Sequence, residues 1–163
     1  HRASEHVAYT EMITEDLMLF VPPGSALARR SSVPFQKVFD LPLVVPGRPH
    51  ILRSVIDRLA ALHDVVPAAV DCDSLPAIAR LVCEEGHCTV MPHFAFLEEL
   101  RRNEMAAVPI VEPTPTWRLS VVVSQRTMNP RGSEVVARAL GNVMIQLVGA
   151  GTWKARLKTS VAA

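Results

Sequence analysis

The chain has 163 residues, 49% of them hydrophobic and 20% charged, enough to bury a core in one domain or two small ones and too apolar for a disordered segment. Its 17 basic and 16 acidic side chains leave a net charge of +1, which argues against a generic binder of nucleic acid or another polyanion. No apolar run approaches the roughly 20 residues of a membrane-spanning helix, and three irregularly spaced cysteines make no disulfide framework and fit a reducing cytoplasm.

The first residue is His1, and His1 to Glu5 is polar with no secretory signal pattern. Two origins fit this start: a leader already removed, or a piece of a longer protein. Leu17 to Val21 reads as an apolar strand ended by Pro22-Pro23-Gly24. Leu43-Val44-Val45 is a second apolar run, closed by Pro46-Gly47. Ile51, Val55, Leu59 and Leu62 then recur at helical spacing, widened by Leu52 and Ile56, with Arg53 and Asp57 four apart and able to pair. Pro67 to Val70 is the next strand. Asp73 or Ser74 caps a helix whose apolar face is Leu75, Ile78, Ala79 and Val82, with Pro76 in its first turn and Gly86 as its stop. Cys88 to Met91 forms a third strand, Ala95 to Arg102 a short helix and Val108 to Val111 a fourth strand. Strand and helix alternating in this way predict an α/β fold with a mainly parallel sheet.

Trp117 to Ser124 is a further strand, and Ser133 starts the strongest helix of the chain. Its stripe of Val135, Val136, Ala139, Leu140, Val143, Met144, Leu147 and Val148 is broader than two flanking strands can cover. The expectation is a missing covering partner or a subunit interface. The predicted layout is nested: an α/β module at 41–113 sits inside a unit built from 14–24 and 116–150, joined by a connection at 25–40 and followed by a basic tail at 151–163. Residues 114–163 carry seven basic groups against one acidic, a local +6.

Ligands of open parallel sheets bind at the carboxyl ends of the strands. Those ends carry Gly47, Arg48, Pro49 and His50 after the first strand, Asp71 to Ser74 after the second, and Pro92, His93 and Phe94 after the third. Gly47 permits close backbone approach, the helix starting near His50 offers free N–H groups, and Arg48 is a forked donor for carboxylate or phosphate. Together they predict a pocket for a small anion or polar metabolite. The plainer roles are a helix cap for Ser74, an ion pair for Arg48 and surface or capping positions for His50 and His93. Asp71-Cys72-Asp73 resembles the paired aspartates of phosphohydrolases that form an aspartyl-phosphate, the alternative function. That chemistry needs a nearby cation, usually a lysine, and Lys37, Lys154 and Lys158 all lie outside the module. Cys83, His87, Cys88 and His93 match no compact zinc spacing. No phosphate loop, nucleophile elbow or HExxH is present, so neither a metal, a cofactor nor an enzyme is expected.

Thr14 to Ser25, with Val21-Pro22-Pro23-Gly24, resembles the strand and turn leading into the second subdomain of LysR-type transcriptional regulators. Leu41 to His50 followed by Leu52-Arg53 resembles that family's next strand and loop. Asp73-Ser74-Leu75, Leu81-Val82, Gly86 and Thr89 to Pro92 resemble the segment running into its glycine-proline turn, with Cys88 where a second glycine is usual. Ile110 to Pro113 and Trp117-Arg118-Leu119 resemble its return crossing. The match covers about 14–150. The resemblance implies a periplasmic-binding-protein-like effector domain of two α/β subdomains, one nearly complete and one represented by its closing part, truncated on its N-terminal side. It implies a small, anionic metabolite bound between the subdomains, homodimers or homotetramers, and contact with DNA only through a helix-turn-helix domain outside this chain. Gly47, Arg48, Pro49, His50, Ser74, Pro92, His93 and Phe94 are the expected effector-binding residues.

Overall fold

The computed structural model describes residues 7–66, 68–124, 126 and 129–158. The chain divides into two compact units, Asp16–Trp117 and the pair of segments His1–Glu15 and Arg118–Ala163. Strand β1 (Val7–Val21) contributes to both.

In the Asp16–Trp117 unit, the apolar run Leu43-Val44-Val45 becomes β3 (Leu43–Val45), buried at every residue. Consecutive burial means cover on both faces, the environment of a parallel strand. On one side β3 pairs in parallel with β4 (Ala69–Asp71), with Val45 opposite Asp71. On the other it meets β5 (Thr89–Pro92) through a parallel bridge between Leu43 and Cys88, with the Val44 N–H donating to the Cys88 carbonyl at 2.9 Å. β5 pairs antiparallel with the second half of β1, and β1 pairs antiparallel with β6 (Ala106–Val111); Leu19 lies opposite both Val90 and Val108. β2 (Val33–Pro34) joins β6 in parallel. The order is β4-β3-β5-β1-β6-β2, with β1 running against the other five.

The helices form where sequence spacing places them. In α2 (Ile51–Leu62) the buried face is Leu52, Val55, Ile56 and Ala60, so Ile51 and Leu62 fall off its ends and stay exposed. α3 (Leu75–Glu85) starts at Ser74, whose hydroxyl accepts from the Ala77 N–H at 3.4 Å. It stops at Gly86, which sits at φ +76°, a left-handed conformation that favours glycine. Three differences from the sequence reading are short-range. The helix expected over 95–102 is a 3-10 turn, His93–Phe96, running into α4 (Leu97–Arg101). The strand expected over 17–21 is the end of the fifteen-residue β1. Segment 25–40 holds a 3-10 turn (Ala26–Arg29), β2 and α1 (Phe35–Val38), and Phe35 and Val38 lie in the core. Phe20 packs edge-on against Phe96 at 5.1 Å, and Phe35 against Phe39 at 5.0 Å.

In the other unit, the first half of β1 pairs with β7 (Thr116–Ser124) and β8 (Arg156–Leu157). α5 (Pro130–Gly149) begins three residues before Ser133, because Asn129 caps it by accepting from the Gly132 N–H at 2.9 Å. Gly141 is the buried residue of this helix. A Cβ there would stand 3.0 Å from the Met12 side chain, so the glycine lets α5 approach β1 closely. The stripe of Val135, Val136, Leu140 and Val143 is open, with each residue about half exposed or more.

Candidate functional site

Because β3, β4 and β5 run parallel, the loops after them gather at one sheet edge. Pro46 to His50 follows β3, Cys72 to Ser74 follows β4, and His93 to Phe96 follows β5. The Gly47 N–H donates to Asp73 Oδ1 at 2.9 Å, joining the first two loops. A Cβ at Gly47 would already be 3.4 Å from that same oxygen. His50 caps α2: its Nδ1 accepts from the Leu52 N–H at 3.2 Å, which leaves Nε2 to carry the ring proton.

The charged groups of this edge are largely matched to one another. Arg48 places Nε and Nη2 on Asp57 Oδ2, each at 2.8 Å. Arg53, only 4% exposed, donates from Nε to Asp57 Oδ1 at 2.9 Å and from Nη1 to Asp71. Burial works against the Arg53 charge, but the bonds to Asp57 and Asp71 outweigh it and hold its pKa above the ordinary guanidinium value. Two guanidiniums therefore face two carboxylates. Asp71, one half of the aspartate pair, is engaged by Arg53, and Asp73, the other half, by the Gly47 amide.

Beside this cluster lies a depression of about 240 Å3. Its walls include Pro46, His50, Asp73, Met91, Pro92, Phe94 and Trp117, and Phe94 stacks on Trp117 with centroids 6.3 Å apart and planes 22° apart. Of the residues singled out in the sequence, His50, Pro92 and Phe94 are in this lining. Gly47 and Pro49 shape the loop behind it, Arg48 is turned to Asp57, Ser74 caps α3, and His93 opens the 3-10 turn half-buried. Met91 and Trp117 carried no ligand signal in the sequence, whereas Asp73 stood among the strand-end residues and in the aspartate pair. Asp73 read as a helix cap, Met91 as the end of a strand, and Trp117 sits far along the chain at the start of the return crossing. A larger depression of about 500 Å3 lies in the other unit, beside β7 and α5, but no charged side chain lines it. No group of His, Cys, Asp and Glu side chains among the described residues is arranged to hold a metal ion. Among the described residues no helix is long and apolar enough to cross a membrane.

A family model, the LysR substrate binding domain, matches residues 1–145. No curated protein matches the chain. Solved structures do. The regulatory domain of MetR, a LysR family regulator from N. meningitidis, is 10% identical with a TM-score of 0.71, over 97% of this chain and 72% of that one. The regulatory domain of Synechocystis PCC6803 CcmR, in complex with 2-PG, is 18% identical with a TM-score of 0.73, over 88% of this chain and 70% of that one. A full-length OxyR variant from Pseudomonas aeruginosa is 18% identical with a TM-score of 0.68, over 86% of this chain and 45% of that one. At such identities the structures speak for the fold, which is the periplasmic-binding-protein-like one, while the family model covers most of the sequence. The chain belongs to the LysR substrate-binding domain family, the effector-binding domains of LysR-type transcriptional regulators.

Proposed function

We propose that this chain senses a small metabolite for a transcriptional regulator. The metabolite sits in the depression at the strand ends of the Asp16–Trp117 unit, and its occupancy changes how a helix-turn-helix domain of the regulator engages DNA. The observation that carries this reading is the depression itself: a concave, mostly apolar site with a few convergent polar groups, at the edge where parallel strands end. We assign His50, Pro92 and Phe94 as contacts, joined by Pro46, Asp73, Met91 and Trp117. The complex of the CcmR regulatory domain with 2-PG supports a small-molecule ligand for this kind of domain. The regulator acts as a homodimer or homotetramer, and a ligand shifts it only by preferring one of its states. An anionic effector is the less supported form of this reading, because Arg48 would have to exchange Asp57 for the ligand. The phosphohydrolase alternative is disfavoured too, since Asp71 is held by Arg53.

The test is a metabolite screen by thermal shift, followed by titration with Trp117 fluorescence as the readout. A true effector gives a saturable fluorescence change that is lost in Phe94→Ala, gives a thermal shift that is lost in both Trp117→Ala and Phe94→Ala, and is left chemically unchanged. Turnover of the ligand, or saturable binding indifferent to both substitutions, removes this site from the reading.

A further inference from the structure

The walls of the depression differ in kind. Pro46 and Met91 supply apolar surface, Phe94 and Trp117 supply ring surface, His50 brings an imidazole and Asp73 a carboxylate. Among the described residues no lysine or arginine lines it. The nearest cations at this edge are already matched, Arg48 to Asp57 and Arg53 to Asp57 and Asp71. Asp73 is therefore the formal charge of the lining, and its partner among the described residues is the Gly47 N–H on Oδ1.

The same edge also holds the starts of α2 and α3, whose free N–H groups favour negative charge. The chain supplies acceptors of its own here. The His50 ring takes the Leu52 amide, the Ser74 hydroxyl takes the Ala77 amide, and the Asp73 carboxylate, one residue before the α3 cap, takes the Gly47 amide. An incoming anion finds the Leu52, Ala77 and Gly47 amides already taken and meets a carboxylate of like charge. An ammonium finds that carboxylate, and two aromatic rings whose faces attract cations.

We propose that the depression takes a small ligand with a flat apolar body and an ammonium or similarly strong hydrogen-bond donor, and that Asp73 is the specificity-determining residue that turns anions away. This rests on the sensing reading above. It reverses the sign of charge that Arg48 and the helix starts predict from sequence, because Asp57 has claimed Arg48 and Asp73 adds a negative charge to the lining.

Benzylamine, benzyl alcohol and benzoate share one ring and differ in charge, which makes them matched probes. The full chain carrying Trp153→Phe, so that Trp117 is its one tryptophan, is titrated with each at pH 8. Benzylamine is expected to bind about tenfold tighter than benzoate, the size of one partly exposed charge-assisted hydrogen bond, with benzyl alcohol between them. Asp73→Asn, which keeps an oxygen for the Gly47 amide and hence the loop, is expected to erase the difference. Benzoate binding as tightly as benzylamine, or tighter, overturns the proposal and leaves the sensing site standing. A benzylamine preference that survives Asp73→Asn overturns it too, since the carboxylate is then not the selector. If none of the three perturbs Trp117, the proposal and the sensing site fall together.

Discussion

Arg53 stands at the centre of the edge from which the sensing site is built. Its guanidinium is buried and bridges Asp57 on its own helix to Asp71 at the end of the neighbouring strand. Replacing it with Met leaves Asp71 without a cation and Asp57 with Arg48 alone. Both are partly solvated, so the expected loss is about 2 kcal/mol rather than the 3–5 of a fully buried pair, read as a fall in the urea midpoint. Arg53→Lys is expected to recover only part, because an ammonium lacks the fork that serves two carboxylates at once. Cys88 gives a second prediction at this scale. Burial pushes its thiol up to about 11 from an ordinary value of 9.0. The neutral form is favoured in the fold, so between pH 9 and 11 the unfolded chain loses its proton first and stability falls as pH rises, by about 3 kcal/mol in all. Urea melts across that range should show the fall, and Cys88→Ala should flatten it. The Arg53–Asp57 pair was legible from a spacing of four. The Arg48–Asp57 pair was not, because Arg48 precedes the helix and only the loop path brings it over the helix face.

Gly86 shows how an element's end is fixed by one residue. It closes α3 at φ +76°, and a Cβ there would meet nothing within 4 Å. The cost of Gly86→Ala is therefore conformational, about 1 kcal/mol, measurable as a lowered melting temperature with the fold otherwise kept. This stop, the Ser74 start and the middle of the buried face of α2, Leu52, Val55 and Ile56, were legible in the sequence, because caps and a 3.6-residue period are local signals, while Ile51 and Leu62 at the helix ends are exposed. So was β3, an apolar run bounded by proline and glycine. The first half of β1 was not: residues 7–16 mix charged and apolar side chains without a clear period, and their extended form comes from pairing with β7 and β8, far along the chain. The core roles of Phe35 and Val38 were hidden for a related reason. Four-residue α1 has too few turns to show a stripe, and tertiary packing decides its burial.

For the molecule as a whole, the fold class and the site's edge followed from alternation and strand direction, whereas the lining needed the three-dimensional path that carries Trp117 back to Phe94. The open stripe of α5 has a direct physical expectation. Contiguous exposed valine and leucine bind amphiphilic dyes and promote association. Val136→Lys combined with Leu140→Lys is expected to lower anilinonaphthalene sulfonate fluorescence and raise solubility, with the far-ultraviolet circular dichroism unchanged. Dye binding that the double substitution leaves intact would place the exposed apolar surface elsewhere.

The position of β1 in the sheet has a consequence for synthesis. Its second half lies between β5 and β6, with Leu19 opposite Val90 on one side and Val108 on the other. A ribosome adding roughly 5–20 residues per second therefore delivers this apolar strand several seconds before either neighbour exists. Until then its backbone donors and acceptors are open to any other strand in reach, and loop closure over so many residues slows the final pairing. The strand that opens the unit must wait for that unit's far end, so the newborn unit is most in need of a chaperone's protection before residue 108 has emerged.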